Sequence, residues 1–119
     1  MSEVELNEIR ENRIANEAVV DAYEQEEIAM GWYYYLQERL NFPFKARWGD
    51  RSSDRITVLE MSTEDDCLND MYVEVLYREG DLEDVFSARL FEIQPLDVDR
   101  LTEEAIADWH YWVNRGYQF

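Results

Sequence analysis

The densest group of potential ligands in this 119-residue sequence is the acidic segment of residues 64–70. It reads Glu-Asp-Asp-Cys-Leu-Asn-Asp, so four carboxylates and one amide lie within seven residues. We expect a loop here, because the stretches on either side are typical of β-strands. Calcium is bound by about six to eight carboxylate, carbonyl and water oxygens, and a loop can fold several of them around one ion. A solvated turn between two strands is the simpler alternative.

The candidate metal ligands are therefore carboxylates, and they form two groups. The first group lies in the acidic segment itself, and the second consists of single residues that the fold could bring to it. They are Glu64, Asp65, Asp66 and Asp70 in the first group, and Glu38 and Asp54 in the second. The segment is not an EF-hand, because that loop needs a glycine at its sixth position and a glutamate at its twelfth. None of the four glycines stands in such a pattern.

Other reactive groups are sparse. Cys67 and His110 are the only cysteine and the only histidine, which excludes an intrachain disulfide and a zinc site of several Cys and His ligands. The acidic neighbours of Cys67 disfavour its thiolate and make it a poor nucleophile. Pairs of carboxylates, as in glycosidases, arise by chance among 28 acidic residues. There is no P-loop and no G-x-G-x-x-G motif, so we expect a protein that is not an enzyme.

The overall charge is strongly negative, since 28 acidic and 11 basic residues give −17. A protein that binds nucleic acids or anionic membranes needs a basic surface, so we expect neither of them as a partner. Calcium ions are the expected partner, and a basic protein is the alternative. In that second reading the chain is an acidic interaction module that imitates the phosphates of DNA. No apolar run approaches the ~20 residues that span a bilayer, and we expect a cytoplasmic protein.

The spacing of apolar residues predicts the elements that must position these carboxylates. We expect one interrupted helix or two helices between Ile9 and Leu40, with a break near residues 24–28, and a last helix with Thr102 as its N-cap. The middle is rich in strands, which we place at residues 44–48, 56–61 and 71–77, with one or two more between 85 and 93. This order predicts one α+β domain over residues 1–119, with N-terminal helices, a small antiparallel sheet or SH3-like partial barrel, and a C-terminal helix.

Two aromatic strings stand on the predicted helices, Trp-Tyr-Tyr-Tyr at 32–35 and Trp-His-Tyr-Trp at 109–112. A surface that stacks on sugars or bases is one interpretation. We favour a second one, in which these helices pack on the sheet and the aromatic rings form part of the core.

At these strings the sequence resembles the cyanobacterial calcium-binding protein family CcbP, from about Asp21 to Phe119. The segments that carry the resemblance are DAY at 21–23, AMGWYYYL at 29–36, FPFKA at 42–46, EDDC at 64–67 and ADWHYW at 107–112. The resemblance implies a small acidic cytoplasmic protein with a compact α/β fold and two non-EF-hand calcium sites of unequal affinity. It also implies a calcium buffer, linked to the control of heterocyst differentiation by sequestration of free calcium.

Overall fold

The computed structural model describes residues 7–49 and 55–117. Its helices are α1 (Glu8–Arg13), α2 (Gln25–Arg39) and α3 (Arg100–Asn114), and a π-helical turn (Ile14–Ala18) continues α1. Its strands are β1 (Phe44–Trp48), β2 (Arg55–Met61), β3 (Tyr72–Glu79), β4 (Leu82–Arg89) and β5 (Ile93–Leu96). The expected α+β order of helices, strands and a final helix is confirmed. Among the described residues, no helix combines the length and the apolar character that crossing a membrane requires.

The five strands form one antiparallel sheet in the order β4-β3-β2-β1-β5. The sheet is strongly curved. The evidence is a contact between Trp48 of β1 and Phe86 of β4, whose ring centroids are 5.0 Å apart although β2 and β3 lie between these strands. Inward-facing side chains such as Val58 and Val75 are fully buried. Pro95 lies in β5 at the edge of the sheet, where a strand tolerates the missing N–H.

The aromatic strings form the core between the helices, as the sequence predicts. Trp32 is fully buried and makes edge-to-face contacts with Tyr35, Trp109 and Trp112, at centroid distances of 5.5, 5.1 and 5.5 Å. Such pairs stabilise beyond the area that they bury. Tyr34 differs from its neighbours because 46% of it is exposed, which leaves its hydroxyl available to the acidic segment.

Glycine is required at position 31 because α2 and the π-helical turn approach closely. A Cβ atom at Gly31 would lie 2.3 Å from the carbonyl oxygen of Ala18. The two segments would have to move apart to accept any side chain there.

The N-terminal helix is attached to α3 through a buried carboxylate. Asp108 is fully buried, and it accepts hydrogen bonds from Arg13 Nε and Nη2 at 2.9 and 2.7 Å and from the Tyr35 hydroxyl at 2.6 Å. A charge in this position stabilises the fold only while its partners remain, so this cluster couples α1 to the rest of the domain.

Two helix boundaries differ from the prediction. The break between the first helices covers residues 19–24 rather than 24–28, because Glu24 and Glu27 form a capping box that begins α2 at Gln25. The predicted N-cap Thr102 is wrong. Asp99 is the N-cap of α3, and Thr102 is buried in the first turn, where its hydroxyl accepts the Asn41 N–H at 2.9 Å.

Candidate metal centre

The acidic segment of residues 64–70, which we call the acidic loop, belongs to the connection from β2 to β3 and lies against α2. Three hydrogen bonds hold this connection to the helix: the Tyr33 hydroxyl to the Ser62 carbonyl (2.8 Å), the Tyr34 hydroxyl to the Glu64 carboxylate, and Gln25 Nε2 to Asn69 Oδ1 (2.9 Å). They reach the loop near both of its ends. The helix therefore fixes the position of the loop and leaves the side chains of Asp65 and Asp66 facing solvent.

Cys67 anchors the centre of the loop from below. It ends a short 3₁₀ turn (Asp65–Cys67) and is fully buried, and its Sγ accepts the Tyr72 N–H at 3.4 Å. Burial raises the pKa of the thiol, and the negative charges of Asp66, Asp70 and Glu74 raise it further. The thiolate is thus disfavoured, which agrees with the expectation that Cys67 is not a nucleophile.

Asp65 and Asp66 are the most available carboxylates of the acidic loop. Both are exposed, and within residues 7–49 and 55–117 neither carboxylate accepts a hydrogen bond or pairs with a cation. The Asp66 N–H bonds to the Thr63 carbonyl at 3.1 Å, so the backbone of the turn is already satisfied. These two side chains are free to turn towards an ion.

Asp70 is engaged through both of its oxygens. Oδ1 accepts the Met71 N–H at 2.8 Å, and Oδ2 accepts Arg89 Nε at 2.9 Å. The hydrogen bond to Asp70 also raises the pKa of Arg89. Asp70 can bind a metal ion through Oδ2 only if the ion replaces the guanidinium, so Arg89 is a built-in competitor of any cation at this residue.

The two predicted ligands outside the loop stay predictions. Glu38 lies on α2 with 76% of its side chain exposed, and its ion-pair partner is Arg39 at 3.9 Å. In the described part of the chain, no hydrogen bond or ion pair joins Glu38 to the acidic loop. Asp54 lies outside the described residues.

The structure adds a carboxylate pair that the sequence analysis missed. Glu60 of β2 and Glu74 of β3 are direct cross-strand partners, next to a bulge between Val58 and Glu60. Two like charges in this position destabilise a sheet. The signal in the sequence is that Glu60 and Glu74 stand seven residues before and seven after Cys67, but only the strand register shows that the two residues face each other.

Glu74 is held in its ionised form beside the acidic loop. Its Oε2 accepts the hydroxyls of Ser62 at 2.6 Å and Ser87 at 2.5 Å, and these hydrogen bonds lower the pKa of Glu74. Both glutamates line a groove of about 290 Å³ that also contains Thr63, the residue before the loop. The groove and the acidic loop together make this end of the hairpin strongly anionic.

The donor chemistry of this region fits a hard cation, but the ligands do not form a closed cage. The available atoms are carboxylate, amide and hydroxyl oxygens, which calcium prefers. Among the described residues, no three His, Cys, Asp or Glu side chains converge closely enough to hold a metal ion. Binding of a metal ion here would therefore require that side chains of the loop turn towards the ion, with water completing its shell.

Comparison with known proteins gives a consistent result. A family profile for CcbP, described as calcium binding, matches residues 12–113. The crystal structure of Anabaena CcbP has 49% sequence identity over 100% of both chains, with a TM-score of 0.87. A calcium binding protein in the calcium-binding form has 49% identity, the same full coverage and a TM-score of 0.89. No curated protein gives a significant match.

The family profile covers most of the chain, and the likeness to the two solved structures extends from end to end. At 49% identity, this likeness is one of sequence as well as of fold. The chain belongs to the CcbP family of calcium-binding proteins.

Proposed function

We propose that this protein binds calcium through the acidic loop and acts as a calcium buffer. The observation that carries the proposal is the pair Asp65 and Asp66, two exposed carboxylates without a cationic partner in the described structure, at the centre of a loop fixed to α2. Membership in the calcium-binding CcbP family supports the choice of ion.

The residues would share the ion in a definite order. Asp65 and Asp66 give their carboxylates first, because no contact has to be broken. Glu64 follows. One oxygen of its carboxylate already accepts a hydrogen bond from the Tyr34 hydroxyl, and the second oxygen can bind the ion while that hydrogen bond remains. Asp70 is last, because it must first release Arg89. Calcium supplies positive charge that relieves the repulsion between these groups.

The attachment of the loop supports the proposal of a buffer over that of a sensor. Cys67 is buried beneath the loop, and hydrogen bonds from Gln25 and Tyr34 tie the loop to α2. A sensor needs an element with two arrangements that the ion can bias. Here the ligating side chains are exposed while their backbone is anchored, so binding need not move a helix. The site is of a non-EF-hand type.

The proposal also covers where the protein acts. We place it in the cytoplasm, where binding would lower the concentration of free calcium, and through its family we connect it with the control of heterocyst differentiation. A basic protein is the other partner that the charge of −17 suggests. That partner would bind without calcium, and its binding would weaken with salt.

Isothermal titration of the full chain tests the proposal. We expect saturable calcium binding that persists in about 1 mM magnesium, because a flexible site of many oxygens suits the larger ion. We also expect the unfolding temperature to rise with calcium concentration, since an ion that binds only the folded state stabilises it. No calcium heat together with no thermal shift would overturn the proposal. A calcium signal that magnesium abolishes would contradict the selectivity.

A further inference from the structure

Four of the eleven basic residues lie together on the outer face of the sheet. We call them the basic strip: Lys45, Arg47, Arg55 and Arg78. Lys45 and Arg47 point outward because they alternate with the buried residues of β1. Arg47 is the direct cross-strand partner of Arg55, and Arg78 of β3 lines one groove with Lys45 and Arg55.

Arg78 of the basic strip pairs with Glu83 at 2.6 Å, whereas the charges of Arg47 and Arg55 have no such partner within the described structure. Arg47 and Arg55 face each other as like charges, an arrangement that destabilises a sheet. Across residues 7–49 and 55–117, neither has a carboxylate within 4.0 Å, although the chain has 28 acidic residues. The Nε of Arg47 is buried and has no hydrogen-bond partner in that part of the chain. A buried donor without an acceptor is unfavourable, and Arg55, which lines the groove described next, keeps a charge that an anion there would pair with.

The groove at the basic strip also has an apolar side. It encloses about 500 Å³ and is lined by Leu76 and Leu96 as well as by Lys45, Arg55 and Arg78. Lys45 lies next to this apolar side, because its register partner on β5 is Leu96; its register partner on β2 is Thr57. The groove thus offers charged donors next to an apolar surface, which suits a ligand with one anionic and one apolar part.

The size of the basic strip favours a compact anion over an acidic polypeptide. Neighbouring strands lie about 4.8 Å apart, so the three strands β1, β2 and β3 span roughly 10 Å. A phosphoryl group fits this width and can accept paired hydrogen bonds from a guanidinium. An extended acidic peptide would leave the strip and meet the surface of a protein whose net charge is −17. We propose that the basic strip binds a small phosphorylated molecule with an apolar portion, independently of calcium.

Titration of the metal-free full chain with pyrophosphate tests this proposal. We expect saturable binding, and we expect Arg55→Gln to weaken it about tenfold, because a charge-assisted hydrogen bond is lost. Arg55 is exposed, so the variant should fold. The matched control is Arg100→Gln, which removes the same charge from an exposed residue on α3. We expect the control to change the affinity by no more than about twofold.

Three results would overturn the proposal. The first is the absence of saturable pyrophosphate binding by the unaltered chain. The second is an equal loss of affinity in Arg55→Gln and Arg100→Gln, which would indicate a general effect of charge. The third is binding of a hexaglutamate peptide that depends on Arg55 while pyrophosphate does not bind. Calcium titration of Arg55→Gln should match that of the unaltered chain, which separates this site from the acidic loop.

Discussion

Replacing Arg89 by glutamine should increase the affinity for calcium. Arg89 donates from Nε to Asp70 Oδ2 at 2.9 Å and so occupies an oxygen that the proposed site would offer to the ion. Glutamine removes the competing charge and leaves the Asp70 carboxylate in place. The other oxygen of Asp70 keeps its hydrogen bond from the Met71 N–H, which holds the carboxylate near its present position.

The magnitude follows from the exposure of the ion pair. The side chains of Arg89 and Asp70 are 45% and 21% exposed, so solvent screens their attraction. Ion pairs of this kind contribute about 0.2–1 kcal/mol, and the well-aligned hydrogen bond places this one at about 0.5–1 kcal/mol. Since about 1.4 kcal/mol corresponds to a tenfold change in a dissociation constant, we expect calcium to bind about two- to fivefold more tightly.

The assay is isothermal titration of calcium into both Arg89→Gln and a matched control. Arg78→Gln is that control, because it breaks a surface ion pair with Glu83 (2.6 Å) near the opposite end of β3 and changes the net charge equally. We expect a smaller effect in the control. Equal affinities in the two variants, or weaker binding in Arg89→Gln, would refute the reasoning that Asp70 exchanges Arg89 for the ion.

Three further predictions concern stability, each measured by urea unfolding without calcium. Burial lowers the pKa of His110, so on acidification the unfolded chain binds a proton at this residue before the folded chain does. The free energy of unfolding should therefore fall as the pH drops below about 6.5. His110→Gln should make this fall with pH less steep, and an unchanged pH dependence would contradict the prediction. Asp108→Asn should destabilise the fold by about 3–5 kcal/mol, because Arg13 loses its buried partner; a loss under about 1 kcal/mol would refute that role. Glu60→Gln should stabilise by about 0.2–1 kcal/mol by removing repulsion with Glu74, and a loss of stability would contradict this.

Strand positions were predictable where residues alternate, and helix boundaries were not. The prediction for β1 at 44–48 agrees with the structure, and β2 begins one residue earlier than expected. The prediction of Thr102 as the N-cap of α3 was wrong, because Thr102 and Asp99 both have side chains that can cap a helix. The packing of α3 against Asn41 then decides between them, since it buries the Thr102 hydroxyl. That contact joins distant parts of the chain, and no local pattern reveals it.

The candidate site shows the same division. The acidic loop is visible in the sequence because its four carboxylates lie within seven residues. The pairing of Asp70 with Arg89 and the facing of Glu60 and Glu74 depend on strand register. Arg89, Glu60 and Glu74 lie on strands, and a one-residue change of register would move such a side chain to the other face of the sheet. The sequence alone therefore could not show that Asp65 is free to bind an ion while Asp70 is held by Arg89.

Calcium titration of the double variant Asp65→Asn with Asp66→Asn is the most direct test of the acidic loop as the calcium site. Its matched control is Asp81→Asn with Asp84→Asn, two exposed carboxylates of the β3–β4 hairpin, which changes the net charge equally. We predict that the loop variant binds calcium at least about tenfold more weakly and that the control changes by no more than about twofold. An unchanged affinity in the loop variant, or an equal loss in both, would contradict the assignment.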